Sequence, residues 1–291
     1  MIPPPFEYER ASDIAHAIKL LAASKGEANI LAGGQSLIPL MRFRLAESAL
    51  LIDISRLRDL AYIRENGELR IGALTKEAEL EHSAMLAQRY PILVDASSVI
   101  ADPLVRNLST VGGNLAHADP ANDHPAVMLA LRASVVVRGS AGERTIAIDD
   151  LFVDTFTTSL KAEEIITEIR IPKAAARSGA AYVKLERKVG DFAIAGVAAS
   201  LTLDEKGRVA TVGIGLTNVS AKPIRAKRAE AALKGQAFDD KWIAKAAAEA
   251  AAESEPVTDL RGPAEYKRDI VRVLTTRALR KAHDRAMGDA R

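Results

Sequence analysis

At 291 residues the chain has room for two domains, each with a sizeable core. Its 40 basic and 38 acidic residues nearly cancel, to a net +2, and no local run of Lys and Arg occurs, so nothing marks it for nucleic acid. With 48% hydrophobic and 27% charged residues it reads as a soluble globular protein; no stretch of about 18 apolar residues predicts a membrane span, and the lack of cysteine excludes disulfides and thiolate-held iron–sulfur clusters within the chain.

The start, Met1-Ile2-Pro3-Pro4-Pro5, lacks the basic region and apolar stretch of a signal peptide, so a cytoplasmic location is expected. Phe6-Glu7-Tyr8 alternates like an edge strand. Ser12 or Asp13 caps a predicted helix carrying Ile14, Ala17, Ile18 and Leu21, which Gly26 ends. A short buried strand then leads into Ala32-Gly33-Gly34-Gln35-Ser36, and another spans 50–54. Residues 1–54 thus read as a β-α-β-β unit that presents a glycine turn at a strand end.

Residues 61–72 predict a hairpin around Glu65-Asn66-Gly67-Glu68. Helices are predicted over 75–85 and 91–101, the second ended by Asp102-Pro103. A second glycine loop, Thr110-Val111-Gly112-Gly113-Asn114, precedes a buried helix over 125–131. Strands follow at 134–138, 145–148 and 165–171. Composition shifts at 172–179, which divides the chain into a domain over 1–176, with subdomains of about 1–54 and 55–176, and a second over 177–291. The second domain reads as three antiparallel strands at 181–187, 194–203 and 209–217, followed by helices at 238–253 and 263–286.

Chemistry narrows to a few places. Paired glycines at a strand end admit positive φ and close ligand approach, and successive amides there make an anion-binding concavity. Two such turns suggest one diphosphate held between them; two ligand-free tight turns are the alternative. A side chain at Gly33 is expected to occupy the diphosphate's approach. There is no G-x-x-x-x-G-K-S/T loop and no G-x-S-x-G elbow. Gly213-Ile214-Gly215 has Asn218 where a third glycine belongs and reads as sheet. His117 and His124 lie near Asp119 and Asp123, but polar residues beside a turn explain them without a metal. Asp123 is an acid of the kind that accepts ribose hydroxyls. In the 184–192 segment, Lys184 can balance a phosphate or a reduced flavin, and Phe192 can stack on a planar ring. The residues alone favour a dinucleotide held between two domains and leave flavin and nicotinamide both open.

Ala32-Gly33-Gly34-Gln35-Ser36-Leu37-Ile38-Pro39, Thr110-Val111-Gly112-Gly113-Asn114 and Ala118-Asp119-Pro120-Ala121-Asn122-Asp123 carry a resemblance. So do Arg187-Lys188-Val189-Gly190-Asp191-Phe192, Gly215-Leu216-Thr217-Asn218 and Arg261-Gly262-Pro263-Ala264-Glu265-Tyr266. Nearly end to end the chain resembles the FAD-binding medium subunits of molybdenum hydroxylases, most nearly the aerobic carbon monoxide dehydrogenase type. The resemblance implies an α+β fold: an FAD domain of the PCMH/vanillyl-alcohol-oxidase type, then a domain with a three-stranded antiparallel sheet and a helical bundle. It implies FAD as cofactor, a small iron–sulfur subunit and a large molybdopterin subunit as partners in a dimer of heterotrimers, and an external electron acceptor. The expected location is cytoplasmic, with association of the complex to the inner membrane face left open.

Carried onto this sequence, the resemblance puts Ile30, Leu31, Ala32, Gly33, Gly34, Gln35, Ser36 and Leu37 around the diphosphate and ribityl, with Thr110, Gly112, Gly113 and Asn114 closing from the other side. Ile100 and Ala101 would line the flavin, Asp123 would bond the ribityl or diphosphate, and Ile166 would pack near the adenine. Lys184 would reach the cofactor from the second domain, and Asp191 and Phe192 would approach the isoalloxazine. No catalytic acid or base and no metal ligand is implied. Gln35 stands where the carbon monoxide enzymes have His, and Phe192 where they have Tyr. Aldehyde and N-heteroaromatic substrates of the xanthine, nicotine or caffeine type therefore stay open, as does a non-catalytic scaffold.

Overall fold

The computed structural model describes residues 2–288; Met1, at the chain start, and the last three positions of the expected second domain lie outside the described residues. The first unit comprises β1 (Glu7–Arg10), α1 (Ile14–Ala23), β2 (Ala28–Leu31), α2 (Leu37–Arg42) and β3 (Leu50–Asp53). Its sheet runs β1-β3-β2 with both pairs parallel. Asp13 is the cap of α1, accepting from the His16 N–H at 2.8 Å. The β-α-β-β expectation lacked α2. The apolar run after the glycine turn coils into a helix, and Pro39 sits in its first turn, where a missing N–H breaks no intrahelical bond.

The chain continues with β4 (Ile63–Asn66) and β5 (Glu68–Gly72), then α3 (Glu77–Glu81), α4 (Ala84–Arg89), α5 (Pro91–Ser97), α6 (Pro103–Arg106), α7 (Val111–His117) and α8 (Asp123–Ala130). After these come β6 (Ser134–Gly139), β7 (Gly142–Ala147), α9 (Ile148–Leu151), β8 (Phe152–Asp154), β9 (Thr157–Thr158) and β10 (Ile165–Pro172). The second sheet is ordered β4-β5-β10-β6-β7, antiparallel throughout. Gly67, at φ +74°, closes the expected hairpin. The helix expected over 75–85 is two helices, because Ser83 turns its hydroxyl to the Leu86 N–H at 3.3 Å and starts α4 afresh. The second glycine loop is not a loop. Gly112 and Gly113 form the first turn of α7, capped by Thr110.

The last part holds β11 (Ser178–Leu185), β12 (Ala195–Leu203), β13 (Val209–Thr217), β14 (Ile224–Arg225), α10 (Lys227–Leu233), α11 (Asp240–Glu253) and α12 (Ala264–Met287). Its antiparallel sheet keeps the order β11-β12-β13-β14, the three expected strands plus a two-residue edge. Strand alternation gives this sheet two faces. Ala181, Val197, Ala199 and Leu201 pack on α10–α12, whereas Tyr182 and Ala198 join the core of the preceding sheet and its helices. All eight residues of α8 are buried, because the helix lies between the two parts. Gly213 and Gly215 let it sit on β13: a Cβ there would stand 2.1 Å from the Ala130 carbonyl oxygen and 2.0 Å from that of Ala126. That pair of glycines is a helix–sheet contact, as its strand pattern suggested.

Candidate cofactor site

The first glycine turn leaves β2 and enters α2. The carbonyls of Gly34 and Ser36 accept from Ile38 and Leu40 at 3.1 and 3.2 Å. The N–H groups of Gly33, Gly34, Gln35, Ser36 and Leu37 find no acceptor among the described residues. Such a run of unspent amides is a site for an anion's oxygens. Gly34 supplies the left-handed step at φ +73°, and the Gln35 side chain closes the turn on the Gly33 carbonyl at 3.2 Å. Gly33 has a different task. A Cβ on it would stand 2.2 Å from the Leu108 carbonyl oxygen and 2.8 Å from Ser109 Cα, so the turn is pressed onto the segment that leads to Thr110. The first glycine turn therefore meets, through backbone, the two residues that precede the second motif.

They are not alike chemically. In the second motif, Val111 N–H goes to Thr75 O (3.1 Å), Gly112 N–H to Ala73 O (2.9 Å) and Asn114 N–H to Thr110 O (2.9 Å). Gly113 N–H goes to the Thr110 hydroxyl at 3.2 Å. These amides are spent inside the protein. What the second motif offers is side chains: Asn114 Oδ1 and the neighbouring Ser109 hydroxyl are buried without a partner. A buried polar atom without a protein partner is open to a water or to a ligand's hydroxyl or amide.

Asp123 starts α8 and is 5% exposed. Its carboxylate receives the Tyr182 hydroxyl at 2.5 Å and Lys184 Nζ at 3.1 Å. Burial pushes the Asp123 carboxyl upward against the pull of Lys184, and burial with Asp123 beside it drives the Tyr182 phenol well above its ordinary value. Lys184 Nζ also donates to Val99 O at 2.8 Å and pairs with Glu186 at 3.3 Å. Its charge is engaged by three protein oxygens, and these contacts tie β11 to α8 and to the residues just after α5.

The 99–101 stretch is gripped from its other side by Arg106, which donates to the carbonyls of Ile100 (3.0 Å) and Ala101 (3.2 Å) and is itself held by both oxygens of Glu81. That grip maintains Ala101 at φ +46°. Gly190 lies on the same place, since a Cβ there would be 2.5 Å from Ala101 O. Asp191 and Phe192 follow directly in the chain from this contact with Ala101. Ile166 is not on an open face: it is 5% exposed, in the core with Val111 and Leu115. Sequence reasoning did not single out Arg106, Ser109 or Lys76, whose Nζ donates to Leu108 O at 2.9 Å. Arg106 and Lys76 show themselves only by pairing across distant elements, and Ser109 only by its buried, unpartnered hydroxyl. A 740 Å³ cavity between the two parts, bordered by Arg89, Arg132 and Lys173, contains none of the expected site residues.

Beneath this region His124 Nε2 meets Glu77 Oε2 at 2.5 Å, both side chains fully buried. Burial opposes a charged ring, but the Glu77 carboxylate outweighs it and raises the His124 pKa above the ordinary value. A raised folded-state value gives stability that is complete below the unfolded pKa of about 6.5 and is lost as pH rises through the folded value. Urea midpoints measured from about pH 6 to 9 are expected to fall with rising pH, and His124→Gln to flatten that fall. An unchanged slope in the variant would remove His124 as its cause. Among the described residues, no group of three His, Asp or Glu is placed to hold a metal.

Residues 4–174 match the family described as the FAD binding domain in molybdopterin dehydrogenase, and residues 180–282 match the CO dehydrogenase flavoprotein C-terminal domain. The chain belongs to the molybdopterin-dehydrogenase FAD-binding family. It is 42% identical to the carbon monoxide dehydrogenase medium chain of Hydrogenophaga pseudoflava, over 97% of this chain and 98% of that one. It is 41% identical to the 6-hydroxypseudooxynicotine dehydrogenase complex subunit alpha of Paenarthrobacter nicotinovorans, over 98% and 97%. A solved carbon monoxide dehydrogenase from Hydrogenophaga pseudoflava superposes with a TM-score of 0.95 at 44% identity, covering 98% and 99%. In this family the cofactor is FAD, and the residues present fit it: unspent amides for a diphosphate, orphaned Ser109 and Asn114 for hydroxyls, and an exposed aromatic, Phe192, for a ring. Among the described residues, no helix is long and apolar enough to cross a membrane.

Proposed function

We propose that this chain is the electron-transfer subunit of a heterotrimeric molybdenum hydroxylase. It would receive electrons from the iron–sulfur clusters of a small partner, serve a large molybdopterin partner, and deliver to an external acceptor. The observation that carries this reading is the row of unspent amides at residues 33–37 in a chain whose full length matches medium subunits. Bound FAD supplies reversible two-electron chemistry. The chain's own part is placement. Ile30, Leu31 and Ala32 bring the turn to its strand end, and the 33–37 amides hold the diphosphate. Thr110, Gly112 and Gly113 set the start of α7 so that Asn114 reaches cofactor hydroxyls. Ile100, Ala101, Asp191 and Phe192 border the ring, Ile166 supports the adenine side, and Asp123 and Lys184 lock the two parts together behind it.

The same reading takes residues 1–176 and 177–291 as the two domains, and a dimer of heterotrimers in the cytoplasm as the assembly. Exposed Ile38, Phe43 and Leu45 on and after α2, and Leu104 and Leu108 on and after α6, flank the glycine turn and suit a partner's surface. A carbon monoxide dehydrogenase-like complex is the first choice of substrate class; aldehyde or N-heteroaromatic hydroxylation is the second, favoured by the near-equal likeness to the 6-hydroxypseudooxynicotine dehydrogenase subunit.

The purified protein is expected to be yellow and to release FAD on denaturation. A colourless protein that refuses FAD and takes another nucleotide defeats the reading. With the complete complex, dye reduction under carbon monoxide supports the first substrate class, and reduction only with an aldehyde or N-heterocycle assigns the second. Dithionite-reduced flavin that no acceptor re-oxidises marks a scaffold.

A further inference from the structure

Asp191 and Phe192 lie on the connection between β11 and β12, which under the proposed function faces the cofactor. The connection is held from a distance. Arg261, 70 residues on, donates from Nη2 to Asp191 Oδ1 at 3.3 Å, and its guanidinium carbon stands 5.6 Å from the Phe192 ring centroid. Arg261 belongs to the turn before α12, and that turn is itself braced. Asp259 and Gly262 exchange backbone hydrogen bonds at 3.2 and 3.1 Å. The Arg261 N–H donates to Asp259 Oδ1 at 2.8 Å, and Lys267 Nζ donates to Asp259 Oδ2 at 2.7 Å.

Lys267 is only 1% exposed. Burying a lysine is costly and is tolerated when the charge is paired. Here the pairing shapes a turn whose outward product is the place of Arg261. Asp191 is shared: Arg187 Nε donates to its other oxygen at 3.1 Å. Burial opposes the Asp191 charge, but the two guanidinium groups outweigh it and hold the carboxyl below its ordinary range. Within this triad two guanidinium groups face one carboxylate, an excess of one positive charge. Arg261 Nε is buried and has no acceptor within the protein, so the guanidinium is not fully spent on Asp191.

Resting on the reading that this connection faces the cofactor, we infer that Arg261 is a positioning residue that fixes Asp191 and Phe192 against the flavin ring and keeps a net positive charge beside it. Two electrons and one proton convert the oxidised ring to its anionic reduced form, and a neighbouring cation favours that state. Arg261 thus has two separable effects, one on ring surroundings through Phe192 and one on the reduction potential through charge.

The test uses the flavin-loaded protein, with dithionite as reductant and reference dyes for the potential. Visible circular dichroism of the bound flavin reports its surroundings, and FAD content and far-ultraviolet spectra report folding. Arg261→Gln is expected to lower the potential by about 30 mV, a tenfold change for a two-electron couple, and to alter the visible dichroism. Arg261→Lys keeps the charge without the planar fork, so it keeps the potential and still alters the dichroism. Asp191→Asn removes the opposing charge and raises the potential. If Arg261→Gln loses the cofactor, Arg261→Lys and Asp191→Asn carry the test, and a wild-type dichroism in the first with a wild-type potential in the second overturns the inference. Phe192→Ala separates the two layers. If it alters the dichroism while the Arg261 variants match wild type, the inference falls and the reading of the site stands. If Phe192→Ala is silent as well, the reading that places this loop at the cofactor fails.

Discussion

Gly33→Val is expected to abolish FAD retention. From the sequence alone, the expected cause is a side chain lying in the diphosphate's path. The structure gives another cause. The new Cβ would sit 2.2 Å from the Leu108 carbonyl oxygen and 2.8 Å from Ser109 Cα. Both are backbone atoms, and Leu108 O also receives Lys76 Nζ at 2.9 Å, so neither yields as a side-chain tip would. The turn must instead lift away by an ångström or more, and N–H to oxygen hydrogen bonds do not survive such a shift in the donor row. Overpacking of this kind costs about 1–3 kcal/mol, which a chain of this size tolerates, so the protein stays folded while its donors are misplaced. The 450 nm absorbance per chain after desalting is expected to fall to about a tenth of wild type or less, with far-ultraviolet dichroism unchanged. Full flavin content in the variant would show that the 33–37 amides are not the diphosphate's support.

The second large effect is expected at Lys184. Its side chain, 3% exposed, crosses from β11 to the first turn of α8 and places Nζ 3.1 Å from Asp123 Oδ2. Lys184→Met leaves the buried Asp123 carboxylate with the Tyr182 hydroxyl alone and strips Val99 O of its donor. Breaking one side of a buried pair costs about 3–5 kcal/mol, which for a chain of this length corresponds to roughly 10 °C in the thermal midpoint. Changing both partners, Lys184→Met with Asp123→Asn, removes the stranded charge and is expected to recover part of the loss. Differential scanning calorimetry checks both. The alternative role, a direct cofactor contact, makes the opposite prediction: an unchanged midpoint in the apoprotein with a large fall in FAD affinity. That outcome would displace the latch.

The two predictions differ in how far the sequence alone leads to them. Neighbouring residues settle what a glycine pair at a strand end, an Asn66-Gly67 turn or an Asp13 cap will do, since each acts within a few residues of backbone. The unspent amides after β2 and the three long strands of the last part were legible for that reason. So was the resemblance, which rests on short contiguous motifs. The second motif misled as to its form: paired glycines read equally as a loop or as a helix start, and only the acceptors Ala73 O and Thr75 O, just past the end of β5 and far back in the chain, decide for the helix.

What tertiary structure alone decided is pairing across distance. β10 enters between β5 and β6. Glu77 meets His124 at a separation of 47 residues, Asp123 meets Lys184 at 61, and Asp191 meets Arg261 at 70. A charged side chain has no periodicity that announces its partner, and whether it is solvated or buried depends on which elements close over it. The sequence by itself thus determined the first glycine turn, the Asn66-Gly67 hairpin, the long strands of the last part and the likeness to a flavin-binding family. The fold determined that Gly33 lies against the backbone of Leu108 and Ser109, that Lys184 pairs with Asp123, and that Arg261 reaches Phe192.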